Sequence, residues 1–471
     1  MLLKYFQPTK KTAIEQKNNI TTYNDIINII GSFIRFFSKN NYKIVYIDTE
    51  ILAFKIGIII ACYYSGNDIF MPDKHQVTDN ILNEHYELTA EIKKRCLLCD
   101  YDMPDSFNRL PNMDILIIRD ILFDSGHVNL SSHKLVGTSY MWFITSGTTG
   151  YSRIVGLNMR HLFDKFESID KFLDIREDDT LLVFSSPSFI QVLWSILLHL
   201  RHGSTIVFQK IQLNQLHVFI KQYSVTALVT VPSIINGCIN QLQGLRSIIV
   251  GGDYMSIEIL ENLAKKMPNL LYANVYGCTE TGAGDIISSA KRLNIFKRDD
   301  YTLGEINPVS DIKFFHKYGN YYEIAIKNQC FLSAKGIKKP NEERDYFHTG
   351  DIITIDQYNR LYYIGRSSNV VVTNGVKIST DTVEKELLKI PMVKDAIVFG
   401  VDSIKGEKLV ALYCSENILY REYFRNRLSK VLNDHEIPNE YIKVDKIPYT
   451  DRGKKNRNKK YLKEIYSYVF T

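Results

Sequence analysis

The sequence predicts an α/β protein of two units, a large N-terminal unit of layered, mostly parallel sheets and helices and a small α+β unit at the C-terminus. Three observations carry this expectation. Apolar runs rich in Ile, Val, Tyr and Phe recur between helical patterns from about Tyr42 to Ile378, several of those runs end in Gly, Ser, Thr or Pro clusters, and the pattern changes beyond Arg366. With 471 residues and 45% apolar content, the chain can bury a large core in more than one folding unit.

The runs KIVYID, TLLVFSSP, STIVFQK, TALVTVP and RSIIVGGD are near-continuous in apolar residues, as strands covered on both faces must be. Alternation of such strands with helices gives layered sheets whose neighbours run parallel. Ligands of open α/β sheets bind just beyond strand ends, so the terminal clusters VFSSP, VTVPS and VGGD are where a site is expected. The stretch Ile51 to Tyr64 is interrupted by Lys55 and is too short to cross a bilayer; it reads as a buried helix. Past Arg366 come VVVTNGVKIS, a helix from Thr380 to about Leu388, the strands DAIVFGVD and LVALYC, a second helix near Arg421 to Leu432, and a basic tail. The segment GRSSN therefore marks a boundary between a unit over 1–366 and one over 367–471.

A formal charge of +6 is mild for this length, and the excess gathers around Lys454 to Lys460. That does not argue for a dedicated nucleic-acid binder. The start, MLLKYFQPTKK, lacks the charged, apolar and small-residue order of a signal peptide, so a soluble, cytoplasmic protein without a membrane span is expected. Seven scattered cysteines fit a reducing compartment. Cys96 and Cys99 form a lone CxxC, with neither a second pair nor nearby His to complete a zinc site.

The densest chemical signal is FITSGTTG, Phe143 to Gly150, set between the apolar runs Tyr140 to Ile144 and Ile154 to Leu157. Backbone amides of a Gly and Thr rich loop can turn inward on phosphate oxygens, and hydroxyls add donors without bulk. The GxxxxGK[ST] spacing of a Walker loop is missing. Alone, such a cluster reads better as a polar turn between two strands. Its company decides.

With the later motifs NVYGCTE (Asn274 to Glu280), HTGD (His348 to Asp351), YIGR (Tyr363 to Arg366) and PYTDRGKKNR (Pro448 to Arg457), the chain resembles the acyl-adenylate-forming superfamily. Acyl-CoA synthetases, firefly-type luciferases and nonribosomal peptide adenylation domains belong to it. ACYYSGNDIFMPD, Ala61 to Asp73, matches a weaker signal of the same family, so the resemblance spans nearly the whole chain. The family loop [ST]SGTTGxPKG is matched as far as Gly150; Ser152 stands where Pro is usual and Arg153 where Lys is usual.

The resemblance implies an ATP-dependent carboxylic acid ligase that makes an acyl-AMP and passes the acyl group to the pantetheine thiol of CoA or a carrier protein. It implies ATP and Mg²⁺ in the site and a small carboxylic acid as substrate. Thr145, Ser146, Gly147, Thr148, Thr149 and Gly150 would cradle the β and γ phosphates, with Arg153 as a cation at the mouth. Tyr276 would stack on adenine, Thr279 contact the α-phosphate and Glu280 hold Mg²⁺, for which a hard carboxylate oxygen is suited. Gly252, Asn274 and Gly277 complete the implied nucleotide set; Asp351 would bind the ribose hydroxyls and Arg366 the ribose or phosphates. Lys454 is implied to bridge the carboxylate and the α-phosphate as charge grows during adenylation, while Lys455, Arg457, Lys459 and Lys460 read as solvated charges or a docking patch for an acidic carrier. The small unit is implied to be mobile, pivoting where Ser368 replaces the usual acidic or basic residue.

For the acid, the resemblance places Phe189, Ile190, Gln191, Trp194, Thr230, Ile249, Gly251, Val275 and Ala283 at the pocket, with Gly251 leaving depth. Amino-acid-activating members pair the substrate ammonium with an Asp at the position of Ile190. An ammonium buried against Ile lacks a partner, which points to an aryl, fatty or keto acid. Two other readings stay open: a nucleotide-binding homologue that has lost catalysis, favoured by Arg153 and Ser368, and a luciferase-like oxygenase using the same adenylate.

Overall fold

Four sheets organise the chain. The structure, a computed structural model, describes residues 9–17, 19–72, 79–89, 91–92, 94–100, 113–122, 138–146, 152–289, 291–295, 301–318, 320–327, 331–332, 346–373, 376–403, 406–449, 455–457 and 459–470. The first sheet runs Glu305–Ile306, Ile286–Ile287, Leu271–Tyr276, Ser247–Gly251, Ala227–Thr230, Thr180–Val183, Thr205–Phe208, Thr12–Gln16, Asn19–Thr22, with Lys291–Arg292 beside Leu271–Tyr276. Its centre is parallel from Leu271–Tyr276 to Thr12–Gln16, and antiparallel partners close both edges. The second sheet runs Phe331–Leu332, Ser152–Asn158, Tyr140–Ser146, Asp68–Phe70, Ile44–Asp48, Arg95–Cys99, Met113–Ile117, and is parallel except at its first two pairings.

Between these sheets lies the main core. Helices Tyr23–Asn40, Leu52–Ser65, Met159–Asp170 and Ile190–Arg201 contribute Phe33, Ile59, Phe166 and Trp194 to one cluster that also holds Val45, Phe143, Leu181 and Ile249 from the two sheets. Covering both faces of each sheet is what lets its strands be apolar throughout. Tyr23–Asn40 starts at a capping box in which Thr22 and Asp25 satisfy each other's backbone N–H. Leu52–Ser65 is the helix expected from the apolar stretch, and it is buried along most of its length. No described helix is long and apolar enough to cross a membrane.

The layered α/β architecture is as predicted, with one addition. Ile312–Tyr318, Tyr321–Lys327, Tyr346–Ile355 and Leu361–Arg366 form a wholly antiparallel four-stranded sheet. The connections after Tyr318 and Ile355 are too short for the crossover helix that parallel neighbours require. Beyond it, Val376–Ser379, Val370–Thr373, Gly406–Cys414, Asp395–Ser403 and Glu440–Lys443 make a fourth sheet. Its own cluster includes Val383, Leu387 and Phe424 from helices Thr380–Leu388 and Arg421–Leu428.

Cys96 and Cys99 sit on strand Arg95–Cys99, next to the edge of its sheet, and both are fully buried. Burial pushes the Cys96 thiol well above its ordinary range. Among the described residues no cluster of His, Cys, Asp or Glu has the makings of a metal site.

On the outer face of the second sheet, His85 is wholly buried, stacked on Phe70 with ring centroids 4.3 Å apart and bonded through Nδ1 to the Tyr46 hydroxyl at 2.9 Å. Burial, assisted by the nearby Arg95 charge, lowers its pKa to about 3. The unfolded chain therefore takes up a proton near the ordinary value of about 6.5, whereas the folded chain resists it. Stability from this group is present above that value and is lost as pH falls from it towards 3. Equilibrium unfolding of His85→Gln and the parent across that window is expected to show a shallower loss in the variant; identical slopes refute the assignment.

Candidate active site

The parallel strands Ala227–Thr230, Ser247–Gly251 and Leu271–Tyr276 end side by side, with Thr230 opposite Val250 and Gly251 opposite Val275. Their C-terminal ends are the place where an open α/β sheet receives ligands. The turn that follows Tyr276 is tightly built. Thr279–Thr281 form one short 3₁₀ turn, after which Gly282, Ala283 and Gly284 all take positive φ, at 87°, 57° and 66°. A Cβ at Gly277 would lie 2.6 Å from the Gly284 nitrogen, so the two limbs of the turn touch through glycine.

A buried ion pair holds this turn. Lys165, from helix Met159–Asp170, bonds to Asp285 and donates to the Thr281 carbonyl at 2.7 Å. Asp285 also accepts from the Thr281 hydroxyl at 2.5 Å and the Ser310 hydroxyl at 2.9 Å, and its backbone N–H donates to the Tyr276 carbonyl at 2.7 Å. Neither Lys165 nor Asp285 belongs to the sequence-predicted site. A signal existed for Lys165, which lies three residues after Leu162 and four before Ile169, on the apolar stripe of its helix.

The strands that flank the predicted phosphate loop are among the described residues. Tyr140–Ser146 and Ser152–Asn158 pair antiparallel, with Thr145 opposite Arg153 and Ser146 opposite Ser152. Tyr140–Ser146 comes within 8 Å of Thr279–Thr281, Cα to Cα. Thr145 is buried and its hydroxyl has no hydrogen-bond partner among the described residues. Gly147, Thr148, Thr149 and Gly150 lie outside the described residues, as does Lys454. Thr279 and Glu280 are half-buried on the turn.

Tyr276 reaches across to the antiparallel sheet. Its hydroxyl donates to Asp351 Oδ2 at 2.8 Å and lies 3.3 Å from Thr349 Oγ1. Asp351 accepts as well from Arg366 Nε at 2.8 Å and from the Tyr363 hydroxyl at 3.4 Å, both on Oδ1. The Asp351 carboxylate raises the pKa of Arg366, and burial followed by the same carboxylate holds the Tyr276 phenol well above its usual range. Arg366 thus stays a guanidinium and Tyr276 a neutral phenol at neutral pH. Arg366 closes the strand Leu361–Arg366, and its backbone N–H donates to Asp381 at 3.0 Å. Tyr254, just after Gly251 and Gly252, stacks on Tyr363 at 5.3 Å, and Lys385 of helix Thr380–Leu388 lies 4.0 Å above the Tyr254 ring. No sequence signal marked Tyr254 or Lys385.

Of the predicted pocket, Ile190, Trp194, Ile249, Val275 and Ala283 belong to the central hydrophobic cluster, and Thr230 is buried at a strand end. Phe189 caps helix Ile190–Arg201 through its backbone alone. Asn274 donates its backbone N–H to the Ser288 hydroxyl at 2.6 Å. Gly251 does not leave depth, contrary to expectation. A Cβ there would meet the Val275 carbonyl oxygen at 2.5 Å and the Gln191 amide at 3.1 and 3.2 Å, so Gln191 occupies the space. The same amide lies 3.4 Å from a Cβ placed on Gly252, whose φ is 79°.

Lys455 and Arg457 are not solvated charges. Arg457 holds Glu384 with two contacts of 2.8 Å and Asp381 with one of 2.7 Å, while Lys455 pairs with Glu384 at 3.2 Å and Asp395 at 3.3 Å. Burial would push the Glu384 carboxyl up, but the two cations and the Val398 N–H overcome it and lower its pKa. An acid buried on Thr380–Leu388 needs such partners, and it draws both cations inward.

Residues 127–315 match the model of the AMP-binding enzyme family. The chain is 24% identical over 371 residues to gramicidin S synthase 2 of Brevibacillus brevis, covering 73% of this chain and 8% of that protein. It is 27% identical over 328 residues to 2-succinylbenzoate–CoA ligase of Staphylococcus aureus, covering 67% of this chain and 65% of that enzyme. In structure it is similar to the o-succinylbenzoate CoA synthetase of Bacillus subtilis in complex with its acyl-adenylate intermediate, with a TM-score of 0.78, 18% identity, and 97% and 96% of the two chains covered. This last likeness establishes the fold.

Proposed function

We propose that the chain, whose residues 127–315 match the model of the AMP-binding enzyme family, is an AMP-forming acid–thiol ligase. In the first half-reaction the acid's carboxylate oxygen attacks the α-phosphorus of ATP, forming the acyl-adenylate and expelling pyrophosphate. In the second a thiolate attacks the acyl carbon, forming the thioester and releasing AMP. The observation that carries this reading is convergence: the Thr145 hairpin, the Thr279–Glu280 turn and the Asp351–Arg366–Tyr276 group all meet at three adjacent strand ends. Relatives acting on acids and CoA by name support it.

The residues present fit a magnesium–triphosphate. The buried Thr145 hydroxyl lacks a partner among the described residues, which suits a phosphate-facing donor. A single carboxylate, Glu280, suits Mg²⁺, which prefers phosphate oxygens and water for its remaining positions. When bound, the ion would neutralise charge on the phosphates. Thr145 and its loop would hold the β and γ phosphates, Thr279 the α-phosphate, and Asp351 with Arg366 the ribose. Residues 367–471 would act as a separate unit that turns about the Arg366–Ser368 segment, bringing Lys454 in for adenylation and withdrawing it for thiol transfer. The acceptor is CoA or a carrier protein.

Ile190 is 5% exposed and lies in the central cluster, which supports an acid without an α-ammonium. Acid-dependent exchange of labelled pyrophosphate into ATP tests the proposal. At least one aryl, fatty or keto acid in a broad panel is expected to support exchange, and thiol-dependent AMP release then identifies the acceptor. Nucleotide binding with no exchange for any acid points instead to a homologue without catalysis.

A further inference from the structure

Buried polar atoms without partners are rare in folded proteins, and each is costly unless something else satisfies it. Among the described residues, three polar atoms without a partner gather around the same strand ends: Gln191 Nε2, Trp194 Nε1 and Thr230 Oγ1. Gln191 and Trp194 are three apart on helix Ile190–Arg201 and so share one face. Thr230 ends the strand beside Ser247–Gly251, and the Gln191 amide lies against Gly251 and Gly252 of that strand end. Trp194 is fully buried and Thr230 is 6% exposed, so bulk water does not serve them. An indole N–H can only donate, an amide nitrogen donates, and a hydroxyl does either. Around them Ile190, Ile249, Val275 and Ala283 are apolar. The Gln191 amide takes the volume beside Gly251 that a longer hydrocarbon tail would need.

We propose that the acid carries an uncharged acceptor oxygen, a keto or hydroxyl group, on a short or aryl body, and that Gln191 is the residue that selects for it, with Trp194 and Thr230 completing the acceptor subsite. The inference rests on the ligase reading and narrows its substrate to oxo and hydroxy acids. An acceptor seated there satisfies donors that a plain hydrocarbon leaves unpaired, and a site built on hydrogen bonds rejects the analogue lacking its partner more strongly than an apolar pocket rejects a size change. Gln191 acts here as a specificity-determining residue at the tail of the acid, away from the reacting carboxylate.

The test is pyrophosphate exchange with matched acids, 4-hydroxybenzoate against benzoate and levulinate against valerate, in the parent and in Gln191→Leu. For at least one pair the parent is expected to favour the oxygenated acid by about 10- to 100-fold in kcat/KM. Gln191→Leu is expected to abolish or reverse that preference, with an unfolding midpoint near the parent's showing that the variant is folded. Gln191→Glu, which replaces the donor with an acceptor, is expected to lose the oxygenated acid. Exchange without preference in the parent, a preference unchanged in Gln191→Leu, or exchange with an α-amino acid overturns this inference and leaves the ligase reading standing. No exchange with any acid overturns both.

Discussion

Lys454→Ala is expected to lower acid-dependent pyrophosphate exchange at least about 100-fold, the scale of losing one group that stabilises charge in a transition state, while ATP still binds. The anchoring on either side of this lysine motivates the expectation. Asn456 N–H donates to the Pro448 carbonyl at 2.8 Å and Tyr449 bridges to Lys455, so the described residues on either side of 450–454 are held together. Lys455 and Arg457 are themselves pinned to Glu384, Asp395 and Asp381. Asp381 in turn accepts from the Arg366 N–H and the Asn369 side chain, next to the proposed pivot. The flanking residues are therefore committed to structure, and Lys454 is the basic group of GKK proposed for the chemistry. Two controls separate the roles. Lys454→Ala should keep the parent's unfolding midpoint and still form thioester from supplied acyl-adenylate, whereas Arg457→Ala should unfold more easily because Glu384 loses its bidentate partner. Near-normal exchange by Lys454→Ala assigns the wrong lysine.

Strand and helix alternation was readable because burial on both faces of a sheet imposes continuous apolar runs, as in IVYID and SIIVG. The same pattern hid the antiparallel sheet at Ile312–Arg366, since strand direction is set by connection length rather than by apolar content. At the candidate site, the motifs supplied the strand ends and the residues beyond them, and the structure gathers Tyr276, Asp351 and Arg366 into hydrogen-bond contact. Partners joined through space escaped: Asp285 and Lys165 are 120 residues apart. Gln191 was named for the pocket, yet its seat against Gly251 depends on packing that no local pattern encodes. Lys455 and Arg457 look like any basic tail until Glu384, 71 and 73 residues earlier, is seen to be buried beneath them.

Asp285→Ala is expected to cost about 3–5 kcal/mol of folding stability, the range for leaving one member of a buried ion pair without its partner. Lys165 is 6% and Asp285 0% exposed at the side chain, so water does not replace either contact. The loss reaches further than the pair. Asp285 is where Lys165, Thr281 and Ser310 meet, and Lys165 also holds the Thr281 carbonyl, so the turn bearing Thr279 and Glu280 loses its floor. Lys165→Met is expected to destabilise as well, because a carboxylate then stays buried on two hydroxyl donors. The double variant Lys165→Met with Asp285→Asn should be less destabilised than the single changes sum to, since neither charge is left stranded. Denaturant unfolding of the parent, both single variants and the double variant measures that coupling. Simple additivity would mean that the pair does not act as a unit, and pyrophosphate exchange unaltered in a folded Asp285→Ala would separate the turn's geometry from the chemistry assigned to Thr279 and Glu280.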